Sequence, residues 1–364
     1  MSPSDEFDIG VCTAADREEQ ARLFNACFKK KLEAPALVWR YDDNPHGQAL
    51  SLLARPKDGE GVSGYACSPR QALVRGDESS IACIGQTGDV MTHPDWRKRG
   101  IFSELDKRAM KETADLGWPF VFGLPNRRSA HIFVELGWDV IGKIRPWTFV
   151  LRVTPEAKAL RRVDGRWKVF TMSGALRKGR AARSRLRGMT EGRFGVRRIE
   201  RFLPEVTELS KLVEKNFALM VRRDHEYLNW RFLDNANKQH RPLGVYNGAG
   251  ELEAYVVVQE PRPGEVLGYL VDVLARDETA LAQAIEAGLA HLDAAGSQLV
   301  QATAIDGSWW QMQLQSAGFQ APREENHLIM ILHPHQKDHP LTRAAARAQD
   351  WYLTDGDRDD ETMG

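Results

Sequence analysis

The 364-residue sequence lacks the features that mark membrane and secreted proteins. No stretch approaches ~18 uninterrupted apolar residues, the length of a spanning helix. The N-terminus, M-S-P-S-D-E-F-D, is acidic and has no apolar signal-peptide core. Fifty basic residues balance 50 acidic ones, so the net charge predicts no nucleic-acid partner. We therefore expect a cytoplasmic protein without a membrane span.

Cysteine is also scarce, and the spacing of the four cysteines excludes a CxxC motif. Cys12, Cys27, Cys67 and Cys83 all stand in apolar or strand-like contexts. Such contexts are typical of reduced thiols in a core. The sequence predicts neither a disulfide framework nor a bound metal.

One short pattern occurs twice. Residues 39–44 read W-R-Y-D-D-N and residues 230–235 read W-R-F-L-D-N. A second echo pairs E-L-G-W at 135–138 with S-A-G-F at 316–319. Repeats at matching distances indicate an internal duplication. We expect the aromatic residues of the pattern to pack in the core rather than to form a substrate platform.

The order of predicted elements also repeats, and the length suits two domains of roughly 150 residues each. Each half reads as a strand, a helix, a hairpin, a long strand, a helix, a strand and a short helix ending in Gly. The sequence predicts an α+β (mixed α/β) protein with two tandem domains, each a twisted, mostly antiparallel sheet flanked by helices. The predicted limits are 1–152, a connector at 153–195, 196–335, and a C-terminal tail at 336–364.

The connector runs into a basic stretch from Arg177 to Arg201. A solvated connector helix is one interpretation of this stretch. A patch that binds a polyanion or a membrane surface is the other.

The segment D-V-M-T-H-P-D-W-R-K-R-G-I-F-S-E-L, residues 89–105, carries the clearest chemistry. A strand ends at Thr92, a proline follows, and a basic turn with Gly100 opens a helix. Free N–H groups and the positive end of a helix suit a pyrophosphate. The glycine allows close approach of the backbone to the ligand.

This segment resembles the GNAT superfamily of acetyl-CoA-dependent N-acyltransferases. The run from Arg97 to Phe102 matches the pattern [QR]-x-x-G-x-[GA], except that Phe102 replaces a small residue. That replacement is tolerable if the Phe102 side chain turns inward. A second signature, an Asn after strand five and a short helix ending in Gly, is matched by P-N-R-R-S-A-H-I-F-V-E-L-G-W at 125–138. The resemblance covers about residues 7–151.

The resemblance implies acetyl-CoA as co-substrate. The backbone of Val90 and Thr92 would pair with the pantetheine arm, and the basic turn would hold the pyrophosphate. The implied coenzyme-binding residues are Val90, Met91, Thr92, Arg97, Lys98, Arg99, Gly100, Ile101, Phe102, Ser103, Asn126 and Ser129. Fixed donors are needed for the oxyanion that develops at the thioester.

The catalytic groups are less clear. Many relatives have a Tyr that protonates the leaving thiolate, and Phe133 stands at that position, so the thiolate would leave directly. Asp89, Tyr41 and Asp43 are the candidates for the base or for amine binding. For each carboxylate taken alone, an ordinary strand-edge or turn residue is the favoured interpretation.

The second half lacks the phosphate turn. Its corresponding segment, L-A-R-D-E-T-A-L-A at 274–282, has no glycine and places acidic residues at the helix start. Negative side chains there repel a pyrophosphate. The sequence therefore predicts a degenerate second copy and a single acetyl-CoA site in the first.

The favoured function is an N-acetyltransferase that acts by direct attack of a primary amine on acetyl-CoA, with a small or sugar-linked acceptor. A non-catalytic acyl-CoA-binding or scaffold protein is a second interpretation. A third is an aminoacyl transferase of the tandem kind that uses charged tRNA, with the connector as RNA contact. The intact coenzyme turn argues against a nucleic-acid partner.

The tail begins with the β-prone residues Trp351 and Tyr352. We expect these two to dock near the cleft between the domains. Asp355 and Asp357 would then face the acceptor side and could help to deprotonate an amine. The alternative is a disordered tail.

Overall fold

A computed structural model describes residues 6–28, 31–127, 129–152, 154, 194–235, 239–320 and 327–358. The connector residues 155–193, with most of the predicted basic stretch, lie outside this part. The α-helices are α1 Arg17–Cys27, α2 Ala34–Tyr41, α3 Ile101–Asp115, α4 Ala130–Glu135, α5 Pro204–Val213, α6 His225–Phe232, α7 Glu278–Ala294, α8 Trp309–Ser316 and α9 Pro340–Ala345. The strands are β1 Phe7–Val11, β2 Leu50–Pro56, β3 Ser63–Val74, β4 Asp77–Thr92, β5 Phe120–Gly123, β6 Asp139–Val150, β7 Phe194–Arg198, β8 Leu219–Val221, β9 His240–Asn247, β10 Leu252–Gln259, β11 Leu267–Ala275, β12 Leu299–Ile305, β13 Leu328–Pro334 and β14 Trp351–Tyr352.

The strands form one continuous sheet, in which twelve follow the order β1-β2-β3-β4-β5-β13-β6-β12-β11-β10-β9-β7 and β8 and β14 pair beside β3. Most neighbours are antiparallel, but β4 pairs with β5 and β11 pairs with β12 in parallel. The fold class predicted from the sequence is confirmed. The domain limits themselves stay a prediction.

The two halves exchange their last strands. β13, from the second half, lies between β5 and β6 of the first half. β6, from the first half, pairs with β12 of the second. β6 is one strand of 12 residues whose first part pairs with β13 and whose second part pairs with β12. Each half therefore completes the sheet of the other.

Alternating apolar residues explain why both faces of the sheet are covered. In β10, Val256 and Val258 pack in the cluster that contains α7 residues. Tyr255 and Val257 point the other way, into the cluster formed with α5 and α6. A strand with apolar residues on both faces is typical of a sheet layered on both sides. In the first half, α3 covers one face, and α9 and the tail pack on a separate cluster.

The repeated W-R pattern lies at the C-terminal ends of α2 and α6. Trp39 and Trp230 are buried and belong to one hydrophobic cluster, together with Tyr227. The prediction that the aromatic residues of the repeat are core residues is confirmed.

The tail is ordered as far as Arg358, so the alternative of a disordered tail is wrong for these residues. Trp351 and Tyr352 are buried, and β14 pairs in parallel with β8. The predicted docking is therefore what the structure shows. Within the described ranges, no helix combines the length and hydropathy needed to span a membrane.

Candidate active site

The site begins where β4 and β5 part. Their last paired residues are Thr87 and Gly123, and β4 continues to Thr92 beyond this point. Asp89 and Val90 together oppose only Tyr65 of β3, which makes a β-bulge, and Asp89 has a φ of 48°. Bulges re-aim the strand beside active sites. Backbone groups on this stretch of β4 thus face a gap beside β5 that can accept a ligand.

The basic turn follows directly. Gly100 caps α3 with a φ of 76°, and Lys98 also has a positive φ, of 63°. The first N–H groups of α3 have no acceptor within the helix. A Cβ added at Gly100 would meet nothing within 4 Å, so the space in front of the turn is open. This geometry suits a phosphate, since donors and the positive helix end converge there.

The three basic residues of the turn have different contacts. Arg97 donates from Nε to the carbonyl of Thr92 and so ties the turn to the end of β4. Arg99 stacks on Trp96, with its guanidinium carbon 4.5 Å from the ring centroid. Lys98 is exposed and forms no ion pair in the described residues. Of the three basic groups, the Lys98 ammonium is the one without a described contact, and its role in coenzyme binding stays a prediction.

The second signature lies at the same edge of the sheet. Ser129 donates its N–H to the side-chain oxygen of Asn126, which orders the turn between β5 and α4. Because β4 and β5 are parallel, the segments after both strands lie at their carboxyl ends, where open sheets bind ligands. The structure thus brings the predicted coenzyme residues to one edge; their role remains a prediction.

Phe102 and Phe133 contact each other. Their ring centroids are 5.2 Å apart at 81°; Phe133 belongs to the core cluster beneath α3, and the partly buried Phe102 packs against that cluster. Phe102 therefore turns inward, as its departure from the family pattern requires. Phe133 is fully buried among aromatic rings, with Trp138 on its other side at 5.1 Å. No hydroxyl stands at this position to protonate a thiolate.

Two of the three predicted catalytic residues are brought together. Asp89 accepts hydrogen bonds from Arg40 Nη1 at 2.6 Å and from the hydroxyl of Tyr41 at 2.6 Å. Burial, together with the Asp89 charge, holds the pKa of Tyr41 well above its ordinary value. Arg40 and Tyr41, from the first copy of the repeated pattern, thus anchor the β-bulge at Asp89. A catalytic role for either residue stays a prediction.

Asp43 faces a different space. It is exposed and lines a groove of about 770 Å³ between α2 and α6, next to Trp39, Glu226 and Trp230. Asp89 and Tyr41 do not line this groove. The structure therefore separates Asp43 from the other two candidates.

In the second half, the chain's own residues fill both the helix start and the gap between the parallel strands that correspond to the proposed coenzyme site. Asp277 caps α7, and its carboxylate accepts the N–H of Ala280 at 2.8 Å, where a phosphate would otherwise bind. The pairing of β11 with β12 ends at Tyr269 and Gln301. Beyond this point Asp355 accepts the N–H of Thr303 at 2.6 Å. The chain's own C-terminal turn thus occupies the gap between these strands.

A buried polar network holds that turn. Arg223 donates to Asp357 at 2.7 Å and to Asp272 at 3.3 Å. Asp272, at a bulge of β11, also accepts from Tyr255 and from Thr354. Sequence reasoning missed Arg223 and Asp272, since nothing in their local pattern indicates partners more than 80 positions away.

Comparison with known proteins agrees with this geometry. Residues 8–141 match the family model described as "Acetyltransferase (GNAT) domain". This part of the chain is a GNAT domain. It contains the gap between β4 and β5, the basic turn and α4, and the predicted resemblance is confirmed. Residues 8–141 therefore form an acyltransferase domain of the GNAT family. No curated protein sequence matches the chain.

Solved structures resemble almost the whole chain. A protein of unknown function from Enterococcus faecalis V583, described as a probable N-acyltransferase, superposes with a TM-score of 0.61 at 13% identity, covering 92% of this chain and 74% of that one. N-myristoyltransferase from Saccharomyces cerevisiae with bound myristoyl-CoA gives 0.58 at 13%, covering 92% and 82%. A tandem GNAT protein from the clavulanic acid biosynthesis pathway gives 0.54 at 14%, covering 91% and 99%. At these identities the likeness shows the fold.

Proposed function

We propose that the chain transfers an acetyl group from acetyl-CoA to a primary amine of a small or sugar-linked acceptor, and that the reaction takes place in the first half. The open left-handed turn at Gly100, beside the gap between β4 and β5, carries this proposal. The corresponding helix of the second half begins with the Asp277 carboxylate, which repels a pyrophosphate. One coenzyme per chain follows from this difference.

Packing at the point where β4 and β5 part supports a short acyl group. A Cβ at Gly123 would lie 2.5 Å from Thr87, and one at Gly85 would lie 2.7 Å from the Trp118 ring. Trp351 packs edge-on against Phe122 at 5.2 Å. Close packing at these positions favours a short acyl group over a long one. We therefore propose an acetyl group rather than a myristoyl group.

The chemistry requires a neutral amine and stabilisation of an oxyanion. In the proposed complex, backbone N–H groups on β4 beyond the bulge polarise the thioester carbonyl. Direct attack by the amine then expels the thiolate. Phe133 cannot protonate that thiolate, so it leaves as the anion and takes its proton from solvent.

Release of free thiol from acetyl-CoA tests the proposal, with glucosamine, putrescine and lysine as acceptors. We expect amine-dependent thiol release and slower turnover with octanoyl-CoA than with acetyl-CoA. Binding of acetyl-CoA without turnover of any amine would instead favour the non-catalytic acyl-CoA-binding protein. Absence of binding would overturn the proposal.

A further inference from the structure

The C-terminal turn of the second half contacts the acyl-site strand of the first. Gln86 of β4 donates from Nε2 to the backbone carbonyl of Asp357 at 2.7 Å, although 271 positions separate them. Both residues are almost fully buried, at 1% and 2% exposed. Asp357 therefore sits on β4 next to the proposed acyl site.

Each of these side chains also carries an oxygen without a hydrogen-bond donor. Asp357 Oδ2 accepts from Arg223 and from the N–H of Thr354, whereas Oδ1 is buried and receives no hydrogen bond from the described residues. Gln86 Oε1 is also buried and without a donor there. Buried acceptors are normally satisfied by protein, water or ligand. Two neighbouring side chains with unmet acceptors indicate a place for a ligand that donates, such as an amine.

The position of this pair fits the proposed reaction. Gln86 lies opposite Phe122, one residue before the last pair of β4 and β5. Gly88 lies two residues further along β4, about 7 Å at the rise of a strand. The bulge at Asp89 begins there, and under the proposed function the thioester lies beside it.

We propose that Gln86 and Asp357 bind the acceptor amine and that Asp357 is the general base. This inference rests on the proposed function. The nitrogen lone pair attacks the thioester carbon, a C–N bond forms, and the extra proton on nitrogen passes to Asp357 Oδ1. The C–S bond then breaks with its electron pair on sulfur. Asp357 returns the proton through solvent to the thiolate, so the products are the amide and coenzyme A thiol.

The other three carboxylates are placed differently. Asp89 already accepts hydrogen bonds from Arg40 and Tyr41, and Asp43 lies in the outer groove. Asp355 accepts the N–H of Thr303 of β12 and forms an ion pair with Arg358. Asp357 is the one of the four whose backbone carbonyl accepts a hydrogen bond from Gln86 of β4 and whose buried Oδ1 receives no hydrogen bond from the described residues.

The surroundings of Asp357 also favour a base. Burial raises its pKa, the negative Asp272 adds to this, and Arg223 opposes it. A carboxylate with a raised pKa is a stronger base than an exposed one. The charged or titratable groups around it come from several elements: Arg223 before α6, Arg231 on α6, Tyr255 on β10, Asp272 on β11, and Tyr352, Asp355 and Arg358 in its own segment.

The test is steady-state kinetics of Asp357→Asn with the most active amine among glucosamine, putrescine and lysine. We expect kcat to fall by about 10²–10⁴-fold, the usual contribution of a general base. The Kd of acetyl-CoA, measured by calorimetry, should stay unchanged. In the unaltered chain kcat should fall as the pH drops through the pKa of Asp357, and the variant should lose this fall. Tyr255→Phe is the matched control, because it removes a hydrogen bond to Asp272 in the same network but keeps the contacts of Asp357 with Arg223 and Thr354.

If Asp357→Asn does not fold, Gln86→Leu tests the proposal instead, because it leaves the ion pair between Arg223 and Asp357 intact. We expect a higher KM for the amine and the same Kd for acetyl-CoA. Unchanged amine kinetics in either folded variant would mean that the two oxygens hold only water, and would overturn the inference. Failure of the unaltered chain to bind acetyl-CoA would instead overturn the proposed function, and the inference with it.

Discussion

Trp39 and Trp230 form the same contact in both directions. Trp39 donates its indole N–H to the carbonyl of Trp230 at 2.9 Å, and Trp230 donates its own to the carbonyl of Trp39 at 2.8 Å. The rings stack with centroids 4.9 Å apart. Equivalent residues of two repeats meet in this way when the copies are related by a local twofold axis. The repeated pattern is therefore the seam that joins the two halves.

Replacing either Trp by Phe should destabilise the chain by about 1–3 kcal/mol, because the carbonyl of the other Trp is left buried without a donor. The two losses should not add, since both residues belong to one contact. Urea unfolding of Trp39→Phe, Trp230→Phe and the double variant measures the coupling. Trp96→Phe, at the basic turn, is the control. Strict additivity of the two seam variants would contradict a shared seam.

Gly100→Val should abolish acetyl-CoA binding while the fold persists. Valine is strained at positive φ, by about 1–3 kcal/mol, and its side chain would fill the space in front of the turn. Gly117 is a matched control at the other end of α3, with a φ of 79° and nothing within 4 Å of an added Cβ. Gly117→Val carries a similar strain, so it should keep the affinity for acetyl-CoA. Equal affinities of both variants would refute the site.

Calorimetry should find one acetyl-CoA per chain. The second half offers no glycine turn, its helix is capped by Asp277, and its gap holds the turn at Asp355. Asp277→Gly alone should not create a second site, because the C-terminal turn still blocks the gap. Two equivalent sites in the unaltered chain would show that the second half also binds coenzyme.

The sequence predicted the parts of the fold that depend on local pattern. The basic turn and each copy of the W-R pattern are contained in a few consecutive residues, so they can be recognised without knowing the strand order. The exchange of β6 and β13 cannot, because strand order in a sheet is set by packing between distant segments. The pairing of Asp357 with Gln86 and Arg223 was equally hidden, since its partners stand 271 and 134 positions away.

His240 should lower the stability of the folded chain at acidic pH. Burial, reinforced by Arg231 and Arg241, lowers the pKa of His240 from 6.5 to about 3. The folded form keeps the ring neutral while the unfolded chain binds a proton below 6.5. The contribution of neutral His240 to the free energy of unfolding is therefore fully present above pH 6.5. It is lost as the pH falls towards 3, by up to about 1.4 kcal/mol per pH unit. Urea unfolding at pH 7, 6 and 5 should show a shallower slope for His240→Gln. Identical slopes would contradict this assignment.

The tail should be necessary for folding. Trp351 packs against Phe120 and Phe122, the hydroxyl of Tyr352 donates to the carbonyl of Val273, and Asp357 neutralises the buried Arg223. Removal of residues 350–364 would expose this core and leave Arg223 without one of its two carboxylates. We therefore expect an insoluble or unfolded truncation, rather than a folded protein that only lacks turnover. Trp351→Ala is the milder change and should cost about 3–5 kcal/mol. Circular dichroism and urea unfolding measure both variants, with removal of residues 359–364 as the control. A truncation at 350 that unfolds at the same urea concentration as the full chain would show that the docked tail does not stabilise the core.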